Sequence, residues 1–334
     1  MKLVFAVDGG GSKTDAALVR QDGALLGFAR GPLSHPHHIG VAASADVIQA
    51  LAAEVGAPAD LAVLLLAGLD FPDEEAAYLA EAERRGWASE VVVGNDTYAV
   101  LRAGTERGWG VAVTCGAGIN CVGVAPDGRR VRFPSLGPIS GDWGGAGDVG
   151  RAAVWAAARS EDGRGPRTSL ERLVPEYFGQ ADTVALARGL HDGAVDGQRL
   201  GELAPLVFAA AESDEVAGEI VDRQAGEVAA LVRAAVRRLE LADSEVDVVL
   251  GGGLLQSGNA RLLGGVVAAL REELGPRVSA RVANSRPIVG AALAGLDRLG
   301  SPPEALARTR AELDRATASL GDVTGDAPPV AELA

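Results

Sequence analysis

Residues 4–14 read VFAVDGGGSKT, and residues 111–118 follow the same plan as VAVTCGAG. Each is a short apolar run that ends in closely spaced glycines. Each continues into a second apolar stretch and then a DG pair, Asp22-Gly23 in the first copy and Asp127-Gly128 in the second. A DG pair between alternating segments is a strong hairpin signal. Both copies therefore predict strand, glycine turn, strand, DG turn, strand, with Val111–Thr114 and Asn120–Val124 flanking the second glycine turn. An internal repeat constrains a fold more than either copy alone. It predicts an α/β protein of two related halves, each a layer of helices on a mixed sheet.

The bulk numbers agree. A chain of 334 residues is too long for one ordinary core. Hydrophobic residues make up 48% and charged residues 23%, as in globular proteins. Only 4% are aromatic, so Ala, Val and Leu must build the core. A net charge of −14 argues against nucleic acid and anionic membrane as partners, because both demand a basic face. Cys115 and Cys121 cannot make a disulfide framework, and neither a secretory signal nor an apolar run of membrane length is visible. The expectation is a cytoplasmic enzyme. Lys2 and Lys13 are the only lysines, a skew that looks like coding bias, yet Lys13 stands inside the glycine motif.

Three phosphate-binding loops open with a strand and glycines. The P-loop pattern G-x-x-x-x-G-K-[ST] fails, because Ser12 precedes Lys13 and the glycines bunch against the strand. The dinucleotide pattern G-x-G-x-x-G fails as well: Gly9 and Gly11 fit, but Thr14 replaces the third glycine, and the loop does not open a helix. A hairpin tip is the third possibility, and Asp8-Gly9-Gly10-Gly11-Ser12-Lys13-Thr14 resembles the phosphate loop of the actin, Hsp70 and sugar-kinase superfamily. Glycines there let backbone N–H groups approach the anion, and small hydroxyls add donors. An aspartate ending the first strand, here Asp8, can reach Mg²⁺ through water. Gly116, Ala117 and Gly118 form the second tip. In VDVVLGGGLL a buried strand, Val246–Leu250, meets Gly251-Gly252-Gly253 before a helical pattern; the resemblance puts adenosine against Gly252 and Gly253.

Four stretches narrow the resemblance: VDGGGSKTDAALV (7–19), GNDTYAVL (94–101), GAGINCVGVAPDG (116–128) and SGDWGGAGDVG (140–150). Together they resemble the BadF/BadG/BcrA/BcrD family, which includes the N-acetylglucosamine kinases and ATPases that activate acyl-CoA reductases or dehydratases. The resemblance implies a two-domain actin-like ATPase (ribonuclease H-like) fold with a cleft between the domains, ATP and Mg²⁺ as cofactors, a small sugar as substrate, and a homodimer. The domains are expected at about 1–115 and 116–300, with a helical part inserted near 160–215, a helix at 287–299 packing back across the cleft, and a tail that is helical at 302–318 and then disordered.

SEVVV (89–93) reads as a buried strand with Asn95 and Asp96 at its carboxyl end, where such sheets bind ligands. From the residue alone, Asp96 serves equally as N-cap of the following helix or as acceptor of a proton from an attacking hydroxyl. The family resemblance favours the base, with Asn95 beside it on the substrate. It also implies a sugar-contacting carboxylate at Asp142, a nucleotide contact at Asn120, and a sugar-site wall at Gly68 and Asp70. Asp148 fits a helix-dipole role instead. Two departures stand out. Ala117 replaces the threonine common between those glycines, leaving Thr114 and the backbone to compensate. The loop SHPHHIG (34–40) puts His35 where the kinases present an asparagine to the sugar, which leaves the exact sugar open. A bare histidine cluster in a loop is a poor predictor of a metal. Among the alternatives, the activator branch needs cysteines presented at a subunit interface for an iron–sulfur cluster, a sugar-sensing repressor needs a basic DNA-binding face, and a kinase of another sugar, such as an anhydro-sugar, changes only the substrate.

Overall fold

A computed structural model describes residues 1–320. The elements in chain order are β1 (Leu3–Gly9), β2 (Lys13–Arg20), β3 (Leu25–Pro32), α1 (Pro36–Ile39), α2 (Val41–Val55), β4 (Ala59–Leu66), α3 (Pro72–Arg85), β5 (Ala88–Asn95) and α4 (Thr97–Gly104). The second half continues with β6 (Gly110–Cys115), β7 (Ile119–Val124), β8 (Arg130–Arg132), α5 (Ala146–Glu161), α6 (Leu170–Tyr177), α7 (Thr183–His191), α8 (Ala204–Ala210), α9 (Glu215–Arg238), β9 (Val246–Gly251), α10 (Gly253–Gln256), α11 (Ala260–Leu274), β10 (Val278–Val282), α12 (Pro287–Arg298) and α13 (Pro303–Thr317).

The strands form two five-stranded sheets, ordered β3-β2-β1-β4-β5 and β8-β7-β6-β9-β10. Read from the first strand of each half, the two orders are identical. β1 pairs antiparallel with β2 and parallel with β4; β6 pairs antiparallel with β7 and parallel with β9. Each central strand is covered on both faces, which explains its nearly unbroken apolar run. The DG turns adopt the left-handed backbone their hairpins need, with φ of 88° at Gly23 and 87° at Gly128. The repeat anticipated from the sequence is thus a repeat of topology, and the carboxyl ends of β1, β4 and β5 lie side by side, as do those of β6 and β9.

The core is Ala, Val and Leu with few aromatics, in layers on both faces of the first sheet and in a larger cluster around α5–α9 in the second lobe. The expected division at 115/116 falls between β6 and β7, which are hydrogen-bonded neighbours of one sheet. The sheets change earlier, between α4 and β6. Nor does α12 stay with the second lobe: it packs on α4 and on β1 and β4. Its glycines permit this approach, since a Cβ on Gly290 would overlap the Ala99 carbonyl oxygen and one on Gly295 would lie 2.3 Å from Val4. α13 then docks on the first DG turn, where Thr309 Oγ1 donates to Gly23 O at 3.0 Å. The segment expected to be disordered, 323–334, lies outside the described residues.

Candidate active site

The first glycine hairpin is closed by Gly10 N–H donating to Lys13 O at 2.9 Å. Gly9 has no room for a side chain: a Cβ would sit 2.4 Å from both Leu66 Cδ2 and Ser34 Oγ. Gly11 and Ser12 are exposed at the tip. Asp8 and Asp15 face each other across β1 and β2, where like charges repel. Asp15 is fully buried, and Lys13 Nζ (2.7 Å) and Arg30 (2.6 and 2.8 Å) bond it. These contacts hold its carboxyl below the usual range against the opposing effect of burial. The Asp8 carboxylate has no hydrogen bond among the described residues. Burial, opposed by Lys13 and reinforced by Asp96 and Asp15, pushes its pKa up to about 7. A buried, unbonded carboxylate at a strand end fits a hard cation with oxygen ligands. Thr14 stands apart from its neighbours in the loop: it is fully buried, and its hydroxyl engages Pro32 O and Ser34 Oγ, both at 2.7 Å.

The second hairpin is closed by Gly116 N–H donating to Gly118 O at 2.9 Å. Its tip meets the start of α5, where Ala146 N–H donates to Gly116 O (2.9 Å) and Gly147 N–H to Ala117 O (3.3 Å). Gly145 makes the approach possible, because a Cβ there would lie 2.4 Å from Ala117 O. Ala117 and Gly118 remain exposed. Gly252 abuts this hairpin from β9 with φ of 83°, and a Cβ on it would lie 2.4 Å from Cys115 O; Gly253 beside it is open. Cys115 and Cys121 are both free and buried, and burial pushes both thiols far up.

Asp96 stands between the hairpins at the start of α4 and makes no capping bond to that helix. Asn95 Oδ1 instead accepts the Thr97 N–H at 2.9 Å, so the adjacent amide caps the helix and the carboxylate is left out of the capping. Thr97 Oγ1 donates to Asp96 at 3.4 Å and lies equally far from Thr114 Oγ1 of the second lobe. Burial and the nearby Asp70 push the Asp96 pKa up to about 6. Asp70 rises to about 6 as well, through burial and Glu74.

A hydrogen-bond chain crosses the lobes beneath this carboxylate. Ser135 Oγ donates to Asn120 Oδ1 (2.6 Å), Asn120 Nδ2 to Asn95 Oδ1 (3.2 Å), and Asn95 Nδ2 to Asp70 Oδ1 (2.9 Å). Both amide groups of Asn95 and Asn120 therefore already have protein partners. Asp142 is buried, 9% exposed, and accepts from Ser140 Oγ. Asp148 accepts from Gly144 and Gly145 N–H at the start of α5, the helix-terminus role read from the sequence. His35 stacks on His38 with ring centroids 4.0 Å apart and presses on Gly68, where a Cβ would lie 2.3 Å from the ring. Burial and the neighbouring histidines lower its pKa to about 4, and its Nδ1 is buried without a partner. His37, Asp70 and Glu74 place ligand-type atoms within 4.8 Å of one another; Glu74 already bonds His37 (2.7 Å) and caps α3 through Asp70 and Phe71 N–H. Sequence reasoning missed Ser135, whose left-handed φ of 56° is unusual for serine, and Arg132, which bonds Glu75 at 2.7 Å. No local motif marks either.

Two lobes of one topology, each with a glycine hairpin, thus meet at a site that holds the buried Asp96 carboxylate. The chain belongs to the BadF/BadG/BcrA/BcrD ATPase family, whose model matches residues 6–295. It is 27% identical over 267 residues to the N-acetylmuramic acid/N-acetylglucosamine kinase of Clostridium acetobutylicum, covering 78% of this chain and 87% of that one. It is 24% identical over 320 residues to the N-acetyl-D-glucosamine kinase of Dictyostelium discoideum, covering 89% and 98%. A solved structure from Chromobacterium violaceum, assigned as an N-acetylglucosamine kinase, superposes with a TM-score of 0.67 at 26% identity, over 88% of this chain and 98% of that one. Among the described residues no helix is long and apolar enough to cross a membrane.

Proposed function

We propose that the protein is an ATP-dependent amino-sugar kinase that transfers the γ-phosphate to a hydroxyl of N-acetylglucosamine, glucosamine or a close relative. The observation that carries this reading is the Asp96 carboxylate, buried at the carboxyl end of β5 and released from helix capping by Asn95. With a pKa of about 6 it is ionised at neutral pH and able to accept a proton. The two hairpins approach the phosphates through exposed backbone at Gly11, Ser12, Ala117 and Gly118, and Gly252 and Gly253 offer a flat wall for adenosine. Magnesium, when bound, offsets the charge of the transferring phosphoryl group. Asp8 is the residue that would hold it, through water. On the sugar side stand Gly68, Asn95, Asp142 and His35, the last neutral near pH 7 and carrying an unmet hydrogen-bonding atom. Asp96 takes the hydroxyl proton as the oxygen attacks in line, and closing the lobes excludes water from the transfer.

In this reading Asn120 positions Asn95 through one Nδ2 hydrogen and offers the other to the nucleotide, and Thr14 supports the hairpin from behind. The working lobes are residues 1–105 with 287–317, and 110–282. A homodimer in the cytoplasm completes the proposal, and the mass of the assembly in solution checks the dimer. The activator branch finds little support, because both cysteines lie in the core of the second lobe, 0% exposed. The test is product detection. The purified protein is incubated with ATP, Mg²⁺ and each of glucosamine, N-acetylglucosamine, N-acetylmannosamine, glucose and an anhydro-sugar, and sugar phosphate is sought by mass spectrometry. An amino-sugar phosphate is expected; ATP hydrolysis that no sugar stimulates would overturn the reading in favour of the activator branch.

A further inference from the structure

The turn Gly68–Asp70 is held from three sides. Within its own lobe, Gly68 has φ of 78° and lies against the His35 ring. Asn95 Nδ2 reaches both Leu69 O (3.5 Å) and Asp70 Oδ1 (2.9 Å). The third contact comes from the other lobe. Arg132, the last residue of the edge strand β8, donates through Nη1 to Glu75 Oε1 at 2.7 Å and to Leu69 O at 3.4 Å. Glu75 lies in the first turn of α3, immediately after the turn. Both side chains are mostly buried, at 20% and 30% exposure. Desolvation at such a pair strengthens the charge interaction relative to a surface ion pair. Arg132 is itself anchored, because Arg238 Nη1 of α9 donates to its carbonyl at 3.3 Å.

A planar guanidinium whose single Nη1 bridges Glu75 and the Leu69 carbonyl across a lobe boundary fixes a distance, which a flexible ammonium does less well. Any opening of the lobes on this side must break the contact to Glu75 and release the Leu69 carbonyl. We propose that Arg132 is a positioning residue, a strut from the second lobe that sets the Gly68–Asp70 turn for the sugar when the lobes are closed. This rests on the amino-sugar kinase reading for what the turn binds; the strut itself is a property of the structure.

The experiment compares wild type, Arg132→Met and the charge swap Arg132→Glu/Glu75→Arg. Met keeps the length and apolar stem of arginine without its charge. Arg132→Met is expected to raise the KM for sugar by about fivefold or more while the KM for ATP stays within about twofold, and the swap is expected to recover part of that loss. Backbone amide exchange across residues 67–71 is measured on the same proteins and is expected to be faster in Arg132→Met. Unchanged sugar KM with unchanged exchange would overturn the proposal, and so would an equal rise in both KM values, which signals a general loss of fold. If wild type shows no sugar-dependent turnover, the kinase reading fails, and the exchange measurement alone still decides whether the strut exists.

Discussion

The two glycine hairpins share a topology and differ in chemistry. In the first, the penultimate residue of the central strand is Asp8, and across from it lies Asp15 with its two cations, Lys13 and Arg30. In the second, the corresponding positions are Thr114 and Asn120, both neutral. The tips differ as well. Both stay exposed, at Gly11 and Ser12 in the first and at Ala117 and Gly118 in the second, but they are braced differently: Gly10 O accepts the Ser34 N–H, whereas the carbonyls of the second accept N–H groups from the start of α5. A repeated scaffold fixes where the backbone of each tip lies and leaves the charge to side chains. One lobe thus holds the carboxylate suited to a cation, and the other supplies a neutral cradle fixed by a helix. The shared plan of strand, glycine turn and strand says nothing about this division.

The largest expected effect tests the charged hairpin. Asp8→Asn should lower turnover by at least about a hundredfold, because it removes the ligand for the cation that offsets phosphate charge. It should also stabilise the fold at high pH. The folded state holds a proton on Asp8 up to about pH 7, while the unfolded chain releases it near 3.8. Stability therefore falls as pH rises through that window, and the cost is complete above it. Thermal unfolding should show a higher Tm for Asp8→Asn at pH 8 and little difference at pH 4; a lower Tm at pH 8 would contradict the burial argument.

The next effect contrasts two glycines. Gly9→Ala has no space against Leu66 and Ser34 and should cost on the order of 1–3 kcal/mol in denaturant unfolding. Gly118→Ala meets nothing within 4 Å and should leave stability within about 0.5 kcal/mol. It should weaken ATP binding instead, as read by titration calorimetry. Equal destabilisation by both would break the distinction between a packed glycine at a strand end and an exposed glycine at a tip. The smallest effect is expected at Ala117→Thr, which adds a hydroxyl beside the phosphates and should tighten ATP by about two- to tenfold, the range of one net hydrogen bond.

Local features were legible in the sequence. The strands around both tips, the strand ending at Asn95, the helix from Thr97 and the α12 and α13 helices all follow from apolar runs broken by Gly, Asp and Pro. What escaped depends on partners distant in the chain. That Asn95 and not Asp96 caps α4 follows from how the two side chains point at one helix start, where both residue types are good caps. That Asn120 bonds Asn95 joins residues 25 apart and from different sheets. The buried hydroxyl of Thr14 depends on Ser34, two residues past the end of β3. The sheet boundary was misplaced because β6 looks like the end of a first domain until its pairing with β7 and β9 is known.

In the proposed mechanism the hairpins hold nucleotide and Asp96 performs the proton transfer. ATP affinity and single-turnover phosphorylation of N-acetylglucosamine, measured in wild type and Asp96→Asn, decide whether it does. ATP affinity should stay within about threefold while the rate of transfer falls by about 10²- to 10⁴-fold, and the wild-type rate should drop as pH falls through about 6. An Asp96→Asn protein that phosphorylates the sugar at nearly the wild-type rate would remove Asp96 from the role of base and contradict the account.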